Sequence, residues 1–449
     1  MSDAALSMSG AALSWMGVVR LGLVQTALGA VVVLMTATLN RVMIVELALP
    51  ALVSGLLIAL FHAVQVFRPA WGYRADVGGR RTPWIVAGMA MLALGGFTAA
   101  LGVALATSST VVGIAVAALG FLLVGMGAGA AGTNVLATLA AQVAPTRRAA
   151  AATTVWVMMI FGFALTAPLA GHFLDPFSPA RLVAVTGVVA ATAFALACLA
   201  VWGVETSTAQ VSGRLSRDQS LRAALREAWS DPAARQFAIF IFVSMLAYSA
   251  QELLVEPFAG LVFGMSPGAA TKLAGLQHGG VLLGMLLVAI LTSTIGGARF
   301  GDLRLWTVVG CLASALALVG VAASGLASAG ALRLAVVALG LGNGVFAAAA
   351  IGQMMGLATR GASAREGTRM GLWGAAQALA LGVGGLIGAA LVDLARLALG
   401  SPLHAYAVVF VAEALAFVAS AWMAARMGEA ETAARRSIAS ALRVAPTRT

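Results

Sequence analysis

Charge is what this chain lacks most. Asp, Glu, Lys and Arg make up 10% of its 449 residues, against 61% hydrophobic residues. A soluble chain of this length needs far more charge to cover its surface, so a soluble globular enzyme or carrier is excluded. Cysteine is nearly absent: Cys198 and Cys311 both fall inside apolar runs, where they read as small buried hydrophobes, not as a disulfide or metal pair. Histidines number four, and no cluster with metal-ligand spacing, phosphate-binding loop or nucleophile–base arrangement is present to carry esterification or hydrolysis. No catalytic or metal site is expected, and the chain reads as a binding protein, not an enzyme. Met1 to Ser14 lacks the basic start and cleavage site of a signal peptide, so the first apolar run is expected to stay in the mature protein.

What is present is a mean hydropathy of +0.99 and apolar runs of about 20 residues, each long enough to cross about 30 Å of hydrocarbon. Lipid-exposed backbone must satisfy its own hydrogen bonds, so the runs are helices. Twelve spans are expected, at 20–45, 51–67, 84–106, 111–143, 149–171, 181–204, 235–259, 269–294, 305–324, 331–357, 371–395 and 403–425. The net charge of +11 is a topology signal before it is anything else. Of the 27 basic residues, 22 fall in the termini and alternate loops; the opposite loops hold only Arg41, Arg181, Lys272, Arg333 and Arg396. The positive-inside rule then places both termini in the cytoplasm. Nucleic acid is not an expected partner; membrane lipid is.

The polar stretch 205–234 divides the chain into halves, 1–204 and 235–425, each of six spans, with a basic tail at 426–449. Within the linker, Leu221, Leu225 and Trp229 repeat every four residues, as in an interfacial helix. Glu429 to Val444 reads as a second surface helix. The halves echo one another: His62 and Gln65 in span 2 are matched by Gln277 and His278 in span 8, and Asn40-Arg41 by Gln251-Glu252 in span 7. Two six-helix bundles with internal symmetry imply a transporter-type architecture with a site between them.

Intramembrane ionisable groups are functional candidates by default. Arg41 and Glu46 close the first span, about 32 Å of helix beyond Arg20. Five residues apart on an α-helix, they point about 140° apart and are not expected to pair. Glu252 and Glu256 share a face of span 7 and are candidates, with Arg41, for a latch between the halves or a proton site; snorkelling to the interface is the alternative. Gly125 with Gly129, and Gly384 with Gly388, mark close helix packing, and Asn134 and Asn343 are further polar groups that could face a cavity.

Between spans 2 and 3, Gly72, Asp76, Gly79, Arg80 and Arg81 resemble the signature loop of the major facilitator superfamily, with Gly301, Asp302 and Arg304 as a degenerate second copy. More narrowly, Arg20-Leu21-Gly22-Leu23-Val24-Gln25, Leu39-Asn40-Arg41-Val42-Met43-Ile44-Val45-Glu46-Leu47 and Gly78-Gly79-Arg80-Arg81-Thr82-Pro83-Trp84-Ile85 are similar to the PucC, or bacteriochlorophyll delivery, family, closest to its branch labelled a bacteriochlorophyll synthase chain. The resemblance implies an all-α major facilitator fold. It also implies bacteriochlorophyll as bound cargo, with light-harvesting polypeptides or a pigment-synthesis enzyme as partners. A chlorin's central magnesium takes an axial N or O ligand within an apolar slot. His62 and His278, with Gln65 and Gln277 beside them, lie near the bilayer midplane and are the ligand candidates; helix–helix hydrogen bonding is the alternative for both histidines. His172 and His404 sit at helix ends and are poorer candidates. A proton-coupled transporter of a small lipophilic molecule, or an accessory subunit of a pigment-synthesis enzyme, are the competing functions.

Overall fold

The computed structural model describes residues 13–67, 71, 80–144, 147–204, 229–230, 232–292, 302–358 and 366–444. The helices are α1 (Trp15–Val33), α2 (Ala51–Ala63), α3 (Thr82–Leu105), α4 (Thr110–Gln142), α5 (Arg148–Leu174) and α6 (Pro179–Val201). They continue as α7 (Pro232–Phe263), α8 (Pro267–Thr292), α9 (Leu303–Ser324), α10 (Ala329–Ala358), α11 (Glu366–Leu399) and α12 (Pro402–Val444). All twelve expected spans are found, eleven of them long and apolar enough to cross a membrane. The short one is α2, whose 13 residues are extended by a 3₁₀ turn, Val64–Phe67. The tail expected as a separate surface helix instead continues α12 to Val444; its Ala-, Arg- and Glu-rich sequence is made of strong helix formers. Most of the expected linker helix lies outside the described residues.

Local chemistry sets the helix ends. The Ser14 and Ser178 side chains accept from the N–H of Gly17 and Arg181 (3.2 Å each), and Asp302 accepts from Arg304 N–H (2.9 Å). At the other ends Gly203, Gly264 and Gly400 take φ near +65°, the left-handed conformation that terminates a helix without a Cβ penalty. Basic side chains finish the job: Arg20 donates to the carbonyls of Ala200 (3.0 Å) and Trp202 at the end of α6.

The packing repeats with an offset of six helices. α1 packs on α5 and α6 as α7 packs on α11 and α12; α3 packs on α4 and α6 as α9 packs on α10 and α12; α2 lies on α4 as α8 lies on α10. The halves then meet through reciprocal pairs, α2 on α11 and α8 on α5. This is the major facilitator fold, in a multi-pass membrane protein. Short turns such as Leu47–Pro50, Gly264–Ser266 and Gly400–Ser401 gather at the end we call distal; the start of α1, Arg20 and Arg147 mark the proximal end. Small residues bring the helices together. A methyl on Gly125 of α4 would stand 2.5 Å from the Phe61 carbonyl of α2, and one on Gly388 of α11 would stand 2.5 Å from Ala250 Cβ of α7.

Candidate ligand cavity and its distal seal

The sequence Thr38 to Glu46 does not continue α1 as an α-helix. It forms two π-helical segments, Leu34–Leu39 and Val42–Glu46, with Leu47 N–H bonded back to Val42 O. In a π-helix residues five apart stack along one face. That overturns the expectation that Arg41 and Glu46 do not pair: Arg41 Nη1 donates to Glu46 Oε1 at 2.6 Å. Nor does Arg41 snorkel. It is 2% exposed, its Nη2 donates to the Met265 carbonyl after α7, and Gly260 of α7 leaves the space that its guanidinium fills.

Around this pair the two halves are stitched together. Asn40 Nδ2 donates to the Leu253 carbonyl (2.5 Å) while its Oδ1 accepts from Ser54 Oγ (2.6 Å). Thr38 and Thr271 share a hydroxyl bond of 2.9 Å. Asp393 of α11 accepts from the N–H groups of Ala51 (3.1 Å) and Leu52 (2.8 Å), the first residues of α2. Glu252 and Glu256, candidates for a latch with Arg41, do not pair with it: among the described residues its only acidic partner is Glu46. Glu256 is buried with Oε2 unpartnered, and Glu252 faces elsewhere.

Glu252 lines a cavity of about 270 Å³ between the halves, beneath this seal. Helices α1, α2, α4, α5, α7 and α11 supply its walls. Thr36 and Leu253 lie at its distal floor, and Gln25, Gln65 and Gln377 lie towards its proximal side. Most of the lining is apolar, with Phe61, Phe163 and Trp156 among the aromatics. His62 is in the wall, edge-on to Phe61 at 4.7 Å, and a methyl built on Gly382 of α11 would stand 3.4 Å from its Cβ, an ordinary contact. Gln65 is there too, its Nε2 on the Phe61 carbonyl at 3.3 Å.

Their expected counterparts are not in the lining. Gln277 and His278 are buried in α8. The His278 Nδ1 lies 2.9 Å from the Ala274 carbonyl, an acceptor only, so that nitrogen carries the proton. The ring stands edge-on to Phe163 of α5 at 4.8 Å, which is the helix-packing geometry. Asn134 and Asn343, expected as cavity groups, are also absent from the lining: Asn134 donates to Ala130 O (2.9 Å), and Asn343 accepts from Ser314 Oγ (2.9 Å). Gly72, Asp76 and Gly79 lie outside the described residues, whereas Arg80 is exposed and Arg81 half-buried at the start of α3. In the degenerate second copy, Asp302 caps α9 and Arg304 Nη1 reaches the Ala425 carbonyl at 3.4 Å.

Sequence reasoning passed over Gln25, Tyr248, Gln377, Asp393, Gly260 and Glu413. Gln25, Gln377, Asp393 and Glu413 carried a signal, each being a polar group inside an apolar run.

The family described as "PUCC protein" matches the chain over residues 38–432. The "Bacteriochlorophyll synthase 44.5 kDa chain" of Rhodobacter capsulatus is 51% identical over 425 residues, spanning 94% of this chain and 98% of that protein. "Protein PucC" of Rhodovulum sulfidophilum is 32% identical, spanning 84% and 85%. Among solved structures, a bacterial homologue of the human lysosomal transporter Spinster, in an inward-facing and occupied conformation, superposes with a TM-score of 0.66 at 16% identity, covering 92% of this chain and 96% of that one. The nucleoside transporter NupG superposes with a TM-score of 0.64 at 14% identity, covering 92% and 98%. At those identities the likeness is one of fold, and it agrees with the paired six-helix halves. The family match and the two relatives together settle the rest: this chain is a member of the PucC family.

Proposed function

We propose that this protein binds a bacteriochlorophyll-type pigment within the membrane and delivers it during assembly of light-harvesting complexes, acting as a carrier and not as an enzyme. The observation that carries this reading is His62, an imidazole in the wall of an apolar, aromatic-lined cavity between the halves. A magnesium chlorin needs one axial N or O donor and a mostly apolar slot, and His62 and the largely apolar lining support that reading. The printed name of the 51%-identical relative, a bacteriochlorophyll synthase chain, names the same pigment. The cavity, about 270 Å³, sits just below the usual range for ligand pockets of about 300–1,000 Å³. A macrocycle therefore requires the walls to part, and the sealed distal end directs that opening to the proximal end. The positive-inside pattern assigns the proximal end, with both termini, to the cytoplasm of a bacterial inner or intracytoplasmic membrane.

Absorption spectroscopy of the protein purified from a pigmented host tests this reading. Pigment is expected to co-purify with wild type and with His278→Leu, and to be lost from His62→Leu while the protein stays inserted. Unchanged pigment in His62→Leu overturns the role of His62, and absence of pigment from the wild type overturns the carrier function. One observation favours a proton-coupled transporter instead: Glu252 places a carboxyl group inside the cavity. pH-driven flux of a lipophilic solute in proteoliposomes would establish that alternative. Stable association with a pigment-synthesis enzyme, without pigment or flux, would establish an accessory subunit.

A further inference from the structure

We infer that the cavity selects the uncharged, esterified form of its pigment and rejects the free acid. This rests on the pigment-binding reading and specifies its ligand. The polar groups in the wall are the carboxamides of Gln25, Gln65 and Gln377, the hydroxyls of Thr36, Thr133, Tyr248 and Ser249, the Trp156 indole, the His62 imidazole and the Glu252 carboxyl. Carboxamides and a hydroxyl both donate and accept hydrogen bonds, which suits the keto and ester carbonyls on the rim of a chlorin. Among the described residues lining the cavity none is Arg or Lys. The one buried guanidinium at the seal, Arg41, is committed to Glu46 and to the Met265 carbonyl and is not part of the lining.

A propionate entering this space would lose its water, meet no Arg or Lys among the described lining residues, and share the cavity with an acid group, Glu252. Burying an unpaired charge is among the costliest changes a site can impose, and withholding a counter-charge is an effective way to refuse a ligand. The ester of the same macrocycle brings only carbonyl acceptors, which Gln25 and Gln377 can serve. The Gln377 Nε2 has just a 3.8 Å contact with Met245 Sδ, so its amide is available to a ligand.

The test compares two ligands that differ by one methyl group, so that tail hydrophobicity plays no part. Purified full-length protein is titrated with a magnesium bacteriochlorin carrying a free propionic acid and with its methyl ester, followed by absorption and by quenching of protein fluorescence. The methyl ester is expected to bind about tenfold or more tightly than the acid. In Gln377→Arg, which adds a cation to the wall, the gap should close or reverse. Equal or tighter binding of the acid to wild type overturns the inference while leaving the carrier reading intact, as does a gap that Gln377→Arg leaves unchanged. If neither ligand binds, the carrier reading itself fails and this inference falls with it.

Discussion

Asp393 of α11 caps α2 across the interface between the two halves, accepting the backbone N–H of Ala51 at 3.1 Å and that of Leu52 at 2.8 Å. The residue at the N-cap position of α2 itself is Pro50, which has no acceptor side chain. The cap is therefore supplied by the opposite half, and separating the halves exposes unsatisfied N–H groups at a helix start. Removing the carboxylate with Asp393→Ala is expected to weaken the distal seal by about 0.5–2 kcal/mol, the usual worth of a cap. A cysteine placed at Thr271, 1% exposed within the seal, reports the change in a background lacking Cys198 and Cys311. Its maleimide labelling in detergent should accelerate in Asp393→Ala and much less in Asp393→Asn, which keeps an acceptor oxygen. Equal labelling in all three proteins would remove Asp393 from the latch.

Arg41 and Glu46 form an asymmetric pair. Arg41 is buried and serves two acceptors, Glu46 Oε1 and the Met265 carbonyl, whereas the Glu46 side chain is 35% exposed. Loss of Glu46 can be met in part by water, but a lysine at 41 lacks the guanidinium fork that reaches the Glu46 carboxylate and the buried Met265 carbonyl together. Arg41→Lys is thus expected to lower the melting temperature more than Glu46→Gln. The double swap Arg41→Glu with Glu46→Arg should stay near the level of Arg41→Glu alone, because a glutamate at 41 cannot donate to Met265. Full rescue by the swap would mean that net charge, not donor geometry, holds the seal.

The helices were legible because each rests on one long-run property, about 20 apolar residues in succession, which no tertiary contact has to supply. The seal was not. Arg41 and Glu46 appeared to diverge because an α-helical period was assumed, and the switch to π-helical bonding at Leu34–Glu46 is not encoded in any residue of that stretch. Likewise His62 and His278 looked equivalent on pseudo-symmetric helices. Their fates differ because α8 presses His278 against Phe163 of α5, whereas α2 places His62 in the cavity wall. Asp393 was visible as a lone carboxylate near the end of an apolar span; its partner, a helix start more than 300 residues away in sequence, was not.

Gly260 offers a graded test of the same seal. A Cβ built there would stand 2.8 Å from Val45 Cγ2 and 3.1 Å from Arg41 Nη2. The Val45 and Arg41 side chains can each yield a few tenths of an ångström, so Gly260→Ala should be tolerated with a modest loss of stability. Gly260→Val, with two further carbons directed at the buried guanidinium, is expected to cost about 1–3 kcal/mol by overpacking. It should also speed labelling of the Thr271 cysteine as Asp393→Ala does. Parallel loss of stability without faster labelling would place the strain within α7 and not at the seal.

Glu413 makes the opposite prediction. It is 6% exposed in α12, between Phe410 and Phe417, and both carboxyl oxygens are buried without a partner among the described residues. It is not in the wall of the cavity between the halves, and among the described residues it bonds to nothing, so there its carboxyl carries a desolvation cost. Replacing it with an apolar residue of similar length removes the unsatisfied oxygens and keeps the volume. Glu413→Leu is expected to stabilise the protein by about 1–3 kcal/mol, seen as a higher melting temperature in detergent. Glu413→Gln should gain less, since an amide is as unsatisfied there as the acid. If Glu413→Leu instead melts earlier, the carboxyl group must acquire a partner in another arrangement of α7 and α12, the helices that pack together in this half. That would make it part of the moving machinery and not a passive liability.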